Sequence, residues 1–154
     1  MSQIAVVYWS GTGHTQAMAE AVAKACGAQL FTAEEFSADQ VAKYDAIAFG
    51  CPAMGAEVLE ESEFQPMFDA CKPHLQGKKI ALFGSYGWGD GEWMRSWESR
   101  CNDDGANGCA IGKRNAPPPA HSWFAKASSA RMIPTTARWP SAKRWARRCN
   151  KHFA

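Results

Sequence analysis

Three glycine-rich segments contain most of the side chains that could bind a ligand. They are residues 10–15 (SGTGHT), 50–57 (GCPAMGAE) and 84–92 (GSYGWGDGE), and each follows directly on a short apolar run. Glycines let a backbone approach a ligand closely, and the hydroxyl, thioether and indole groups between them supply polar and stacking contacts. The three segments are therefore candidates for one common binding site.

The segment 10–15 has the composition of a phosphate-binding turn. Its two glycines and the hydroxyls of Ser10, Thr12 and Thr15 precede a helical pattern, and backbone N–H groups at a helix N-terminus favour an anion. It has no lysine, which excludes the loop GxxxxGK[ST], and Gln16 breaks the pattern GxGxxG. The segment predicts a phosphate held by neutral donors. The alternative is a capped strand–helix turn that binds nothing.

The other two segments offer contacts for a planar ring. Trp88 lies between Gly87 and Gly89, a setting that suits a stacking surface. Met54 could cover the opposite face of the same ring, because a thioether packs well against aromatics, and Glu57 could accept a hydrogen bond from a ring N–H. The alternatives are a packed surface tryptophan and a solvated carboxylate.

The elements that would position these segments alternate along the chain. Short apolar runs without polar alternation predict buried parallel strands. They cover residues 4–9, 46–49 and 80–83, and less clearly 29–32. Apolar residues at helical spacing predict three helices. One follows Thr15, one starts near Phe64, and one runs from about Glu92 to Asn102. This order predicts a doubly wound α/β sheet, with all three segments at the edge where such sheets bind ligands.

Length and composition favour one domain without a membrane span. The 154 residues fit a single core, and no apolar stretch approaches the roughly 18–20 residues that cross a bilayer. Nothing at the N-terminus resembles an export signal, so the six cysteines are interpreted as reduced thiols and the expected location is the cytoplasm. Cys51 is interpreted as a buried structural thiol, and no metal site is predicted.

These three segments, with their flanks, resemble those of the short-chain, clostridial-type flavodoxins. The matching runs are VYWSGTGHT, GCPAMGAEVLEESEF and KKIALFGSYGWGDGEWM, and the resemblance covers about residues 3–107. It implies a flavodoxin-like doubly wound parallel sheet with strand order 2-1-3-4-5. It also implies a low-potential one-electron carrier, not an enzyme, that binds FMN non-covalently.

The resemblance also implies a role for each segment. Residues 10–15 would hold the FMN phosphate, Met54 and Trp88 would enclose the isoalloxazine ring, and Glu57 would bind its N3–H. His14 stands where the family usually has Asn, and Ala56 replaces a polar residue. The complete set of expected FMN-binding residues is Ser10, Gly11, Thr12, Gly13, His14, Thr15, Pro52, Ala53, Met54, Gly55, Ala56, Glu57, Ser85, Tyr86, Gly87, Trp88 and Gly89.

Charge divides the chain into two parts. All 15 acids lie between Glu20 and Asp104, and residues 1–107 hold only seven Lys and Arg. Residues 108–154 hold ten Lys and Arg and no acid, so the net charges of the two parts are −8 and +10. The first part is expected to attract redox partner proteins with basic docking faces and to work as a monomer. One alternative is an FMN-dependent NAD(P)H:quinone-type reductase on the same fold. Another is a tail that binds nucleic acid or an anionic surface, although nucleic acid is not the expected partner.

The sequence thus predicts an FMN-binding domain over residues 1–107 and an atypical, irregular basic tail over 108–154. Prolines interrupt the tail, so the fifth strand and the last helix of the family are doubtful in it.

We hypothesise that the tail from about residue 121 is read in a shifted frame, with a genuine basic extension as the alternative. Joining the last base of each codon to the next two bases forces Val at Trp123-Phe124, Ala at Trp139-Pro140 and Gly at Trp145-Ala146. A permitted reading contains an apolar strand and an amphipathic helix. Resequencing the gene tests this, and an intact frame encoding the present residues would contradict it.

Overall fold

A computed structural model describes residues 3–86, 92–103, 107–114 and 123–127. The strands are β1 (Ile4–Tyr8), β2 (Gln29–Thr32), β3 (Ala46–Gly50), β4 (Lys79–Tyr86), β5 (Asn107–Arg114) and β6 (Trp123–Ala127). The helices are α1 (His14–Cys26), α2 (Ala38–Val41), α3 (Phe64–Cys71), which continues as a 3₁₀ turn over Lys72–His74, and α4 (Glu92–Asp103).

The described strands form one sheet in the order β2-β1-β3-β4-β5-β6. The first five are mutually parallel and β6 runs antiparallel to β5. The doubly wound parallel sheet predicted from the sequence is therefore confirmed in its order 2-1-3-4.

The tail differs from its sequence-based expectation at two places. Residues 107–114 and 123–127 are strands, although the sequence predicted irregular structure beyond 107. Apolar alternation is weak in both segments. Their strands are defined by pairing, of β5 with β4 and of β6 with β5, which sequence periodicity does not register. The last helix of the family, which the sequence leaves doubtful, falls outside the described residues.

The sheet separates two hydrophobic clusters of unlike composition. Strand side chains point alternately to opposite faces, so Val7 and Phe49 face the larger cluster, which includes α3 and α4, while Val6 and Ala48 face α1. The larger cluster contains the rings of Phe64, Phe68 and Trp97, with centroids 5.4–6.1 Å apart. On the α1 face alanines predominate.

Helix α1 has clear boundaries. It begins after Gly13, whose φ is 88°, and ends at Gly27, whose φ is 63° and whose N–H bonds Ala23 O. Both glycines adopt the left-handed conformation that other residues reach only at a steric cost. The helix therefore starts directly after the segment 10–15 and presents its N-terminus there.

The ends of β3 and β4 approach closely because Gly84 has no side chain. A Cβ added at Gly84 would lie 2.0 Å from the carbonyl oxygen of Cys51 and 3.2 Å from the indole of Trp93. The same carbonyl accepts a hydrogen bond from Trp93 Nε1 at 3.3 Å. Any larger residue at position 84 would displace the segment that follows β3.

We expect Gly84→Ala to lower the free energy of unfolding by about 3 kcal/mol, because the backbone of Cys51 cannot move away without losing its hydrogen bonds with Phe83 O and Trp93 Nε1. Urea unfolding of the apoprotein measures this. The matched control is Gly55→Ala, where an added Cβ meets no atom within 4 Å and stability should be unchanged or slightly raised. Equal losses for the two variants would contradict the close-approach explanation.

Candidate functional site

The segment 10–15 forms an ordered turn between β1 and α1. Gly13 N–H donates to Ser10 Oγ at 3.1 Å, and the Thr12 hydroxyl lies 2.9 Å from His14 Nδ1. Residues 11–14 are exposed, and the first turn of α1 contains no acid. The turn therefore offers hydroxyl and backbone donors at a helix N-terminus, which is a suitable environment for an anion.

Ser85, near the end of β4, connects two of the three segments. Its hydroxyl lies 3.1 Å from that of Thr15, and its carbonyl accepts a hydrogen bond from Ala53 N at 2.9 Å. Ser85 and Thr15 are both almost completely buried, with 2% and 1% of their surface exposed. The segment 10–15, the loop after β3 and the end of β4 thus meet at one edge of the sheet.

The loop after β3 closes in a three-residue hairpin. Met54 N donates to Val58 O at 2.9 Å, and Glu57 N donates to Met54 O at 2.7 Å. Glu57 has a φ of 53°, in the left-handed region where glycine is more usual. Gly55, at the tip, is exposed and does not have a positive φ. The hairpin presents Met54 and Glu57, both half-buried, at the edge that Ser85 joins.

Glu60 fixes the far side of this loop by capping α3. Its carboxylate accepts hydrogen bonds from the backbone N–H groups of Ser62, Glu63 and Phe64 at 2.7–2.9 Å, and also from the Ser62 hydroxyl. Burial by itself would raise the pKa of Glu60. The hydrogen bonds from the Ser62 hydroxyl and the three N–H groups outweigh burial, and the pKa is lowered to about 2.

Cys51 is the buried thiol beside this cap. It has no exposed surface, and its Sγ accepts a hydrogen bond from Glu60 N at 3.3 Å. Burial raises the pKa of the Cys51 thiol to about 12, although the Glu60 N–H acts in the opposite direction. The thiol therefore stays protonated at neutral pH, which confirms the prediction of a buried structural cysteine.

Comparison with known proteins identifies the family. The Flavodoxin family model matches residues 6–118, which is more than half of the chain. The chain belongs to the flavodoxin family.

Individual flavodoxins support this assignment. The chain is 53% identical over 108 residues to a flavodoxin of Megasphaera elsdenii, covering 67% of this chain and 79% of the relative. It is 48% identical over 111 residues to a flavodoxin of Clostridium beijerinckii, covering 69% and 78%. The solution structure of two-electron reduced M. elsdenii flavodoxin matches with a TM-score of 0.69 and 44% identity, covering 77% of this chain and 90% of that one. The resemblance to short-chain flavodoxins is therefore confirmed.

Fourteen of the 17 residues expected at the flavodoxin site lie in the described part of the chain. Those of segments 10–15 and 52–57, with Ser85, meet at the edge described above. Tyr86 is fully buried, with its ring centroid 5.0 Å from that of Trp93, so its ring belongs to the core. Gly87, Trp88 and Gly89 fall outside the described residues.

Sequence reasoning did not identify Glu60 as a helix cap or the indole of Trp9 as a contact of Gly11 in the segment 10–15. A signal for Glu60 was present, because carboxylates are favoured just before a helix start such as Phe64. No such signal existed for Trp9, whose indole contacts depend on the tertiary fold.

Among the described residues, no group of three His, Cys, Asp or Glu side chains could hold a metal ion. The helices in the described ranges are all too short or too polar to cross a bilayer. Cys26, Cys51, Cys71 and Cys101 carry free thiols.

We expect Glu60→Gln to lower the free energy of unfolding by about 2 kcal/mol at pH 7, because a charged acceptor of several hydrogen bonds is lost. The pKa of Glu60 falls from its ordinary 4.5 to about 2 on folding. Its contribution is therefore present above pH 4.5 and is lost as the pH falls toward 2.

Urea unfolding at pH 7 and pH 3 measures both effects. The control is Glu61→Gln, an exposed neighbour with the same change of charge. If the two variants unfold alike at pH 7, Glu60 is not the cap that holds this loop.

Proposed function

We propose that this chain carries single electrons at low potential on FMN, bound non-covalently where the three loops meet. Flavodoxins are FMN-binding electron-transfer proteins. The observation that carries the proposal for this chain is the double contact of Ser85 with Thr15 and Ala53, because it joins a phosphate-type turn to a hairpin suited to a ring. Family membership favours the carrier over the reductase.

The donor set of the segment 10–15 fits the FMN phosphate. Ser10, Thr12 and His14 would provide side-chain donors, and the backbone at the start of α1 would provide N–H groups. The hydroxyl of Thr15, which is hydrogen-bonded to Ser85 in this structure, would join them at the phosphate. Gly13 leaves open space, since a Cβ there would meet no atom within 4 Å. The phosphate oxygens would therefore be held by directional hydrogen bonds from short side chains and backbone.

The hairpin and the segment after β4 fit the ring system. Met54 would lie against one face and Trp88 against the other, while the carboxylate of Glu57 would accept from N3–H. The backbone of Gly87 and Trp88 would contact the pyrimidine edge, and Ser85 would lie near the ribityl chain or the phosphate. Pro52, Ala53 and Ala56 would line the same slot, with Tyr86 and Gly89 contributing backbone.

FMN supplies the redox chemistry, and the protein sets its potential. Residues 1–107 hold 15 acids against seven Lys and Arg. This surplus disfavours the addition of negative charge to a bound ring, which lowers the potential. A shift of about 59 mV for one electron corresponds to a tenfold change in equilibrium, so modest electrostatic effects are sufficient.

We also propose which partners this carrier meets, and in which oligomeric state and location. The acidic surplus would attract redox partners with basic docking faces and speed their association. The expected state is a monomer in the cytoplasm. Binding of nucleic acid or an anionic surface by residues 108–154 is a second reading, supported only by their charge.

Stepwise reduction of the purified protein, followed by absorbance, tests the proposed function. We expect a flavin spectrum at one FMN per chain, and two separate one-electron steps at low potential. A colourless protein that takes up no added FMN would contradict the proposal. Oxidation of NAD(P)H with a quinone, without an added reductase, would favour the reductase instead.

We expect Gly55→Val to bring the two one-electron potentials closer by about 60 mV, equivalent to tenfold in equilibrium. An added Cβ at Gly55 meets no atom within 4 Å in the present hairpin. Valine is therefore tolerated in the present hairpin. The resemblance to flavodoxins implies, however, that the peptide after Gly55 reorients when the bound flavin takes up its first electron, a change that glycine makes at no steric cost and valine does not. Potentiometry gives the result, with urea unfolding as the check on the fold. Unchanged potentials would show that this peptide does not reorient.

A further inference from the structure

Trp9 and Glu63 connect the end of β1 with the start of α3. The indole Nε1 of Trp9 donates a hydrogen bond to Glu63 Oε2 at 2.7 Å, although the two residues are 54 positions apart. Trp9 is partly buried and packs on the larger core cluster, whereas Glu63 is exposed. A hydrogen bond to a carboxylate is stronger and shorter than one between neutral groups, so this contact fixes the orientation of the indole.

The six-membered ring of the same indole lies against the segment 10–15. A Cβ placed on Gly11 would lie 3.1 Å from Cη2 and 3.3 Å from Cζ3 of Trp9. The Gly11 backbone therefore lies close to the ring, and a Cβ at this position would require the indole to shift by a few tenths of an ångström. A rotation of the indole would move into this backbone or withdraw its support.

Glu63 is itself held firmly by its main chain. Its N–H donates to Glu60 Oε2 at 2.9 Å, and its carbonyl accepts from Met67 N at 3.3 Å within α3. The carboxylate of Glu63 thus projects from a capped helix start onto the indole. A chain of contacts runs from the Glu60 cap through Glu63 and Trp9 to Gly11.

We infer that Trp9, held by Glu63, is a positioning residue for the phosphate-binding turn and contributes to selectivity for FMN over riboflavin. This inference rests on the proposed function. Because the indole of Trp9 lies against Gly11 of the segment 10–15, its loss weakens the grip on the phosphate end. Riboflavin, which has no phosphate, is affected much less.

Simple electrostatics makes the opposite prediction for Glu63. A carboxylate on this side of the turn repels an anion, so removal of its charge alone would tighten FMN binding. The positioning role instead requires weaker binding when the acceptor is removed. The direction of the change therefore separates the two explanations.

The test compares dissociation constants of the apoprotein for FMN and riboflavin. Glu63→Ala removes the acceptor, Trp9→Phe removes the N–H together with the ring atoms that lie nearest Gly11, and Glu63→Gln keeps an acceptor oxygen without the charge. Glu61→Ala is the matched control, because it removes the same charge from an exposed neighbour. The Trp9→Phe/Glu63→Ala double variant completes a double-mutant cycle, which measures whether the two residues act together.

We expect Glu63→Ala to weaken FMN binding about tenfold, the size of one lost charge-assisted hydrogen bond, and Trp9→Phe to weaken it at least as much. Riboflavin binding changes little, Glu63→Gln restores most of the FMN affinity, and Glu61→Ala leaves it unchanged. The double variant should bind FMN no more weakly than Trp9→Phe alone, since Glu63 acts on the turn only through Trp9.

Three results would overturn the inference: tighter FMN binding by Glu63→Ala, equal weakening of FMN and riboflavin, or additive losses in the double variant. Each of these leaves the proposed function standing, provided that the unaltered chain binds FMN. An unaltered chain that binds neither ligand overturns both.

Discussion

The hydroxyl and the carbonyl of Ser85 hold two loops against the end of β4. One hydrogen bond reaches Thr15 in the first turn of α1, and the other comes from Ala53 in the loop after β3. Both side-chain hydroxyls are shielded from water, and a buried polar group that loses its partner costs about 1–3 kcal/mol. The loops therefore remain together because separating them would strand polar groups in the interior.

Parallel strands are what make such a junction possible. The carboxyl ends of β1, β3 and β4 lie side by side, with Val7 opposite Phe49 and Phe49 opposite Leu82 in the register. The close approach at Gly84 draws the loop after β3 over the end of β4. Packing in the core and hydrogen bonding at the edge thus act on the same few residues at the ends of β3 and β4. The sheet therefore holds the loops of the site in place.

The two faces of the sheet are filled differently. The face toward α3 and α4 is aromatic, with Phe49, Phe64, Phe68 and Trp97 in edge or stacked contacts. The face toward α1 is built largely from small residues, which lets this helix lie close to the strands. Its N-terminus is thereby brought near the end of β1, where the segment 10–15 needs backbone donors.

Much of this arrangement was predictable from the sequence. The apolar runs of β1, β3 and β4 must be buried on both faces, and glycine-rich turns after each must meet at one edge. The extension of β4 to Tyr86 was missed because Ser85 and Tyr86 pair with Lys113 and Arg114, far along the chain. The short helix α2 was also missed, although a serine followed three residues later by a glutamine is a familiar capping signal. In the structure Ser37 N–H donates to Gln40 Oε1.

The finer geometry of the site was not predictable. The contact between Trp9 and Glu63 joins residues 54 positions apart, and its distance depends on how α3 packs against the sheet. The conformation of Glu57 depends on the three-residue hairpin. The pairing of Met54 with Val58 that closes this hairpin is known only from the structure. Side-chain type and spacing carry no information about either.

The left-handed backbone of Glu57 gives the hairpin an uneven energy landscape. A non-glycine residue with a φ of 53° carries a steric cost of about 1–2 kcal/mol. The hydrogen bonds from Met54 N to Val58 O and from Glu57 N to Met54 O hold the residue there. The closed hairpin thus keeps a backbone conformation that the isolated segment would avoid.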